Sequence, residues 1–362
     1  MPGKHTSLIT NSYEVHLLHM QQVRFSSATV DYYYNSPVTL LPQICTNDNI
    51  IFITDSNVAA ALPGIFAGKT TLVIPAGEES KSLGTIERLC NELLDAEATR
   101  QTWLVGVGGG VVSDITGFVA AVYMRGIRCG FVPTTLLAMV DAAIGGKNGV
   151  NTGPHKNIIG TIRQPDFLLF DPTLLSSLPD REWSNGFAEV IKYACIFDAE
   201  LFAELASHDI NYYRTNTEAL NTLIRTCADL KNKTVAEDEH EKGIRKLLNF
   251  GHTAGHAIET TYGLPHGAAV GIGMVIAATM SVEKCGLPHD VPAKMKDLLC
   301  RYGLPDSHAI DTDKIMALLK ADKKRTQQHI DYILLEQIGK GVICPLTFPE
   351  IESALKRHEG NS

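Results

Sequence analysis

The sequence predicts an α/β domain built on a parallel sheet, followed by a mainly α-helical domain. Three observations carry that expectation. Short, nearly continuous apolar runs alternate with amphipathic segments over the first half, as in strands covered on both faces and joined by right-handed helical crossovers. After Pro179 the periodicity turns helical, with few β-rich runs from Arg181 to about Met280. The length, 362 residues, suffices for two domains that each bury a full core. The boundary falls near Leu178 to Asp180, dividing residues 1–178 from residues 179–362.

Taken in order, residues 1–45 hold the cluster Tyr32-Tyr33-Tyr34, read as core or rim packing. Strands are expected at Ile50–Thr54, Leu72–Ile74, Trp103–Val107, Gly130–Val132 and Phe167–Phe170. The segments Ser82–Glu97 and Ile115–Met124 carry a helical pattern. Asp55, at the end of the first of these strands with Asn57 beside it, either bonds ribose hydroxyls or N-caps a helix. Gly106-Val107-Gly108-Gly109-Gly110 closes the Trp103 strand ahead of Ser113-Asp114. Glycines there let backbone N–H groups approach a pyrophosphate at a helix N-terminus, though Val111 breaks the GxGxxG spacing and a plain tight turn fits as well. A second glycine-rich loop, Asp141 to Asn151, departs from a P-loop because Asp141 replaces the first glycine and Asn148 the magnesium-binding hydroxyl. It reads as Lys147 presented by flexible backbone near Lys156 and Asn157, either solvated or set to hold a phosphate.

The second half carries a metal-binding pattern. His252 and His256 stand four apart on one helical face, and His266 follows in the turn Leu264-Pro265-His266-Gly267. Glu189 interrupts the apolar run Gly186–Ile191, with Lys192 three residues on. A carboxylate in such a run is costly unless paired or bound to a cation. Spacing permits the pair His252 and His256 as ligands, or one of them with His266. Thr253 stands where a zinc protease would place its glutamate base. The eight cysteines are scattered without a CxxC pair, which suits reduced buried thiols. Forty acidic against 32 basic side chains, net −8, argue against nucleic-acid and membrane partners. The amino terminus shows no secretory h-region, and the longest apolar stretch, Gly267–Met280, is short for a bilayer span. A cytoplasmic location is expected.

Several of these runs stand in order over roughly residues 50 to 330: Gly108–Asp114, Tyr123–Gly126, Pro133–Leu137, Val140-Asp141 with Gly145–Lys147, Lys156-Asn157, Ala188–Lys192, and Leu248–Thr253 with Gly255-His256. Together they resemble the 3-dehydroquinate synthase family. The resemblance implies a Rossmann-like NAD-binding first domain and a metal- and substrate-binding helical second domain. It implies conversion of 3-deoxy-D-arabino-heptulosonate 7-phosphate to 3-dehydroquinate and phosphate, the second step of the shikimate pathway. The route is transient oxidation by NAD+, β-elimination of phosphate, return of the hydride and an intramolecular aldol closure.

The resemblance also implies roles, position by position. Glu189, His252 and His266 match the ligands of a divalent ion, zinc or cobalt, and His256 matches a phosphate contact. Lys147, Asn157, Asn249 and Lys323 match further phosphate contacts, with Arg125 reaching in from the neighbouring subunit of a homodimer. Lys231 and Arg245 match the holders of the substrate carboxylate, the arginine through its planar fork. Asp141 and Lys192 match residues lining the reacting ring. On the NAD+ side the pattern points to Asp55, Asn57, Glu78, Lys81, Gly109, Gly110, Asp114, Thr134, Thr135 and Lys156, with Leu174 to Ser177 against the cofactor. Ser113, Ser177 and Ala268 depart from the residues common in the family. Related sugar phosphate cyclases, acting on a heptulose or hexose phosphate without a carboxylate, are the alternative, and Arg245 discriminates against them. A metal-dependent alcohol dehydrogenase and a non-catalytic NAD- and metal-binding protein are the remaining readings.

Overall fold

The computed structural model describes residues 20–46, 49–153, 155–322 and 329–359. The chain divides into two compact units, Met1–Ser177 and Leu178–Ser362.

The first unit contains β1 (Met20–Arg24), β2 (Thr29–Tyr33), β3 (Ile50–Asp55), β4 (Thr71–Ile74), β5 (Trp103–Gly108), β6 (Arg128–Pro133), β7 (Lys147–Thr152), β8 (His155–Ile162) and β9 (Phe167–Leu169). Its principal helices are α1 (Ser56–Ala61), α2 (Leu83–Asp95) and α3 (Gly110–Val122). Seven strands form one sheet in the order β1-β2-β9-β6-β5-β3-β4, parallel throughout except for the β1–β2 pair. The apolar runs become its inner strands: every residue of β5 is buried, because sheet neighbours flank it and helices cover it. On α2 the buried Ile86, Leu89 and Leu93 recur at helical spacing, and Ser82 caps the helix by accepting from the Thr85 N–H at 3.2 Å. Each such side chain contributes about 1.5–3 kcal/mol through burial.

The structure corrects the sequence reading in several places. The β1–β2 hairpin has no apolar run to announce it. It stands at the sheet edge, and β2 buries only alternate residues. That alternation explains the tyrosine cluster, since Tyr32 and Tyr34 are buried and Tyr34 stacks on Phe170 with ring centroids 5.1 Å apart. Helix α3 begins at Gly110, five residues before the expected Ile115. Lys147 is not on flexible backbone: it opens β7, which pairs with β8 in an antiparallel hairpin separate from the main sheet. Its glycine- and asparagine-rich strand carries no hydrophobic alternation. Packing selects its small residues instead, since a Cβ on Gly149 would approach the Ile159 carbonyl oxygen to 2.9 Å.

The second unit contains α4 (Asp180–Phe197), α5 (Thr217–Glu237), α6 (His252–Tyr262), α7 (His266–Cys285) and the last helix, α8 (Phe348–Glu359). Its helical character comes with one addition, the hairpin of β10 (His329–Gln337) and β11 (Lys340–Thr347). Helix α7 has twenty residues rather than the fourteen of its apolar stretch, long and apolar enough to cross a bilayer. In the fold it is a core helix, with 72% of its most apolar window buried inside the protein. All eight cysteines are free thiols, and Cys285 and Cys344, far apart in sequence, bring their sulfurs to 3.7 Å.

Candidate active site

In the first unit the strand order reverses between β3 and β5, and the carboxyl ends of these two strands carry Asp55 and Gly108. Such a switch point is where open parallel sheets bind nucleotides. Gly109 is the N-cap of α3 and supplies no side-chain cap, so the first N–H groups of the helix stay open to an anion. The glycines serve close approach: a Cβ on Gly108 would press on Val112, and one on Gly109 would meet Thr135 at 3.1 Å. Ser113 leaves the turn clear, because its hydroxyl donates back to the Gly110 carbonyl at 3.0 Å. Thr134 follows β6 with its N–H bonded to the Gly108 carbonyl, while its buried Oγ1 has no hydrogen-bond partner. A buried hydroxyl left unsatisfied beside an open helix start fits a bound dinucleotide. Thr135 Oγ1 accepts from the Ala138 N–H at 3.1 Å.

Asp55 N-caps α1, its Oδ1 accepting from the N–H groups of Asn57 and Val58 at 2.9 and 3.0 Å. The capping alternative is therefore the one the geometry displays. Lys81, 5% exposed, donates from Nζ to Asp114 Oδ2 at 2.5 Å and to Asn157 Oδ1 at 2.6 Å. Asn151, which the sequence reading left without a role, donates to Glu78 Oε1 and accepts from the Asn157 N–H. Glu78, Lys81, Asp114 and Asn157 thus belong to one hydrogen-bonded network with Asn151. Asp141 lies in the turn Ala138–Ala142, half-buried. Lys147 and Lys156 are exposed on the β7–β8 hairpin, and Arg125 is exposed in a left-handed backbone conformation, φ 65°. Leu174 is buried and Ser177 exposed at the end of the unit.

In the second unit the donors converge. Glu189 sits on α4 with no exposed surface. His252 and His266 are the first residues of α6 and α7, and their Nε2 atoms lie 3.4 and 3.1 Å from Glu189 Oε1. One donor atom from each of the three falls within 4.8 Å of the others. The His252 Nδ1 is 3.1 Å from the Phe250 carbonyl, which can only accept, so Nδ1 carries the hydrogen and Nε2 keeps its lone pair for a cation. Burial opposes ionisation of Glu189, but the contacting Lys192 ammonium and the two imidazoles outweigh it and hold the carboxyl well below its ordinary range. Burial likewise opposes a charged His266. The Glu189 and Glu259 carboxylates overcome that and raise its pKa to about 9. A buried carboxylate with two imidazoles is a three-ligand set that leaves a zinc or cobalt ion open to substrate.

The convergence has a local cause. Asn185, one turn before Glu189, accepts from the Gly267 N–H through Oδ1 at 3.0 Å and so pins the start of α7 against α4. A Cβ on Gly267 would press on the Asn185 backbone at 2.8 Å. His256 lies on the same face of α6, exposed, its ring 5.0 Å from that of His252. Arg245 is 2% exposed, held by a bond from Nη1 to the Glu239 carbonyl and by Asp238, which accepts from its N–H. Asn249 donates to Glu241 at 2.8 Å, and Lys231 is buried on α5. Lys323 lies outside the described residues. Sequence reasoning passed over Asn185, Asp238, Glu241 and Glu259. Only Glu259 had a legible signal, its place seven residues after His252 on the same helix face.

Two family models divide the chain between them, 3-dehydroquinate synthase N-terminal over residues 71–185 and 3-dehydroquinate synthase C-terminal over residues 186–325. The chain belongs to the 3-dehydroquinate synthase family. It is 38% identical over 337 residues to a 3-dehydroquinate synthase of Sulfurovum sp. (strain NBC37-1), covering 90% of this chain and 95% of the relative. A Streptococcus pneumoniae 3-dehydroquinate synthase is 38% identical over 331 residues, 87% of this chain and 92% of the relative. Among solved structures, 2-deoxy-scyllo-inosose synthase complexed with carbaglucose-6-phosphate, NAD+ and Co2+ matches with TM-score 0.83 at 27% identity, covering 94% of this chain and 99% of that one. The 2-epi-5-epi-valiolone synthase of Streptomyces hygroscopicus subsp. jinggangensis, with NAD+ and Zn2+ bound, matches with TM-score 0.84 at 28% identity and the same coverage. These members of the wider cyclase group share the fold at lower identity than the 3-dehydroquinate synthases do.

Proposed function

We propose that this chain converts 3-deoxy-D-arabino-heptulosonate 7-phosphate to 3-dehydroquinate and phosphate, using NAD+ and a divalent metal ion. The observation that carries the reading is the buried Glu189 with His252 and His266 about it in a chain of this family. Residues 1–178 would hold NAD+ and residues 179–362 the metal. When bound, the ion would supply Lewis acidity at the alcohol to be oxidised, and NAD+ would supply the reversible hydride acceptor.

The protein's own residues do the rest. Glu189, His252 and His266 hold the ion, and Lys192 keeps Glu189 ionised. Gly109, Gly110 and the open start of α3 receive the cofactor's pyrophosphate, with Thr134 Oγ1 available as a hydrogen-bonding group. Arg245, buried and braced by Glu239 and Asp238, pairs with the substrate carboxylate alongside Lys231. His256 and Asn249 orient the phosphate. The reading includes a cytoplasmic homodimer in which the exposed Arg125 reaches the phosphate of the neighbouring subunit, and a sugar phosphate rather than a nucleic acid or a membrane as partner.

The test is phosphate release by the purified protein from the heptulosonate phosphate with NAD+, before and after chelation and metal restoration. Release that stops on chelation and returns with Zn2+ or Co2+ is expected. No release with metal present refutes the reading, and release only from a sugar phosphate lacking the carboxylate transfers the chain to the related cyclases. Light scattering should give twice the chain mass.

A further inference from the structure

The two nitrogens of His266 face two carboxylates. Nε2 lies 3.1 Å from Glu189 Oε1, on the side of the metal donors, and Nδ1 lies 3.3 Å from Glu259 Oε2 on the far side. Glu259 occupies the face of α6 that also carries His252 and His256, and its side chain is 12% exposed, so water competes little for that oxygen. His252 uses a backbone carbonyl for the same purpose, which no substitution removes. Ala268, two residues beyond His266, has no polar side-chain atom. Glu259 is thus the removable acceptor on this ring.

We propose that Glu259 is the positioning residue of His266. By accepting the Nδ1–H hydrogen it fixes the tautomer, aims the Nε2 lone pair toward Glu189 and makes the ring a stronger donor. The inference rests on the assignment of Glu189, His252 and His266 as ligands. One rival arrangement is geometrically open, because donor atoms of His256, Glu259 and His266 also fall within 4.8 Å of one another. That arrangement would make Glu259 a ligand of a second ion. Nδ1 is the nitrogen that faces Glu259, and a neutral imidazole has one lone pair to give. The buried Glu189 side, where His252 also points, is the better claimant for it.

The experiment loads metal-free, full-length wild type, Glu259→Leu and Glu259→Gln with Co2+ alone. It measures affinity by competition with a chromophoric chelator, stoichiometry, and the visible absorption of the bound cobalt. Wild type should take one ion, and Glu259→Leu should bind it about 10–100-fold more weakly with altered visible bands. The Gln variant, whose amide oxygen accepts the same hydrogen without the charge, should fall between them. A Leu variant within twofold of wild type in affinity, with an unchanged spectrum, overturns the proposal. So does a wild type that binds two ions and loses one in the Leu variant. Should the Leu variant fail to fold, Glu259→Ala takes its place, and an Ala variant within twofold of wild type in affinity, with an unchanged spectrum, overturns the proposal equally. Failure of wild type to bind Co2+ at all removes the ligand assignment itself, an outcome distinct from the others.

Discussion

At the scale of single residues, Glu189 shows how a sequence anomaly becomes chemistry. A carboxylate inside Gly186–Ile191 would be expelled from the core unless opposite charge met it, and Lys192 meets it one turn on. Both side chains are essentially without exposed surface, so removing one strands the other. Glu189→Gln is expected to destabilise the metal-free protein by about 3–5 kcal/mol in urea unfolding and to abolish Co2+ binding. Glu189→Gln combined with Lys192→Met should recover part of the stability and none of the metal binding. Arg245 tests the substrate side: Arg245→Leu should raise KM for the heptulosonate phosphate by at least about tenfold, the cost of a lost charge-assisted bond. Its NAD+ affinity should stay within twofold, and equal losses would count against the carboxylate role. Glu189 was legible because it broke a pattern. Glu259 broke none and was marked only by its place on the helix face of His252.

At the scale of elements, α6 and α7 meet along glycines. A Cβ on Gly255 would approach Val270 Cα to 3.0 Å, and one on Gly273 would run into the Gly251 carbonyl oxygen. This closeness matters because His252 and His266 stand at the starts of the two helices. Gly273→Ala is expected to lower stability by about 1–3 kcal/mol through overpacking, and to weaken Co2+ binding although it touches no ligand. Urea unfolding and cobalt titration of the same variant check both halves.

Further along, Glu350 reaches back to Thr347 at the start of α8, the Thr347 N–H and hydroxyl both donating to Glu350 Oε2 at 2.8 Å. The bond from Lys284 and those from Thr347 bring the Glu350 pKa down to about 2. Because the folded value lies below the ordinary 4.5, this contribution to stability is complete above about pH 4.5 and fades as the pH falls toward 2. Glu350→Gln should lower Tm at pH 7 and narrow the gap from wild type as the pH approaches 2. A gap that widens on acidification contradicts the assignment.

At the scale of the molecule, the proposal assigns NAD+ to the first unit and the metal ion to the second, and linkage should keep their responses separate. A ligand at a hundred times its Kd adds about 2.7 kcal/mol to the structure it binds. Hydrogen exchange should therefore slow over Asp180–Phe197 and His252–Cys285 when Co2+ is added, and over Trp103–Val122 when NAD+ is added. Protection by both ligands confined to a single unit would overturn the division of labour. The net charge of −8 gives no hint of this chemistry, because Lys192, Lys231 and Arg245 are buried in the second unit while acids dominate the total.

The sequence by itself determined the features that local pattern dictates. Continuous apolar runs set the parallel inner strands, glycines marked the β5–α3 junction, and four-residue spacing put His252 and His256 on one helix face. Only the tertiary structure decided which donors share a point in space. Glu189 and His266 lie 77 residues apart, and they meet because Asn185 fastens the start of α7. Likewise the β7–β8 hairpin, which joins Asn157 to Lys81 and Asp114, rests on small residues at close approach rather than on any periodic signal. Periodicity reports the face a side chain takes on its own element, whereas a site is made by contacts between elements, which no single element encodes.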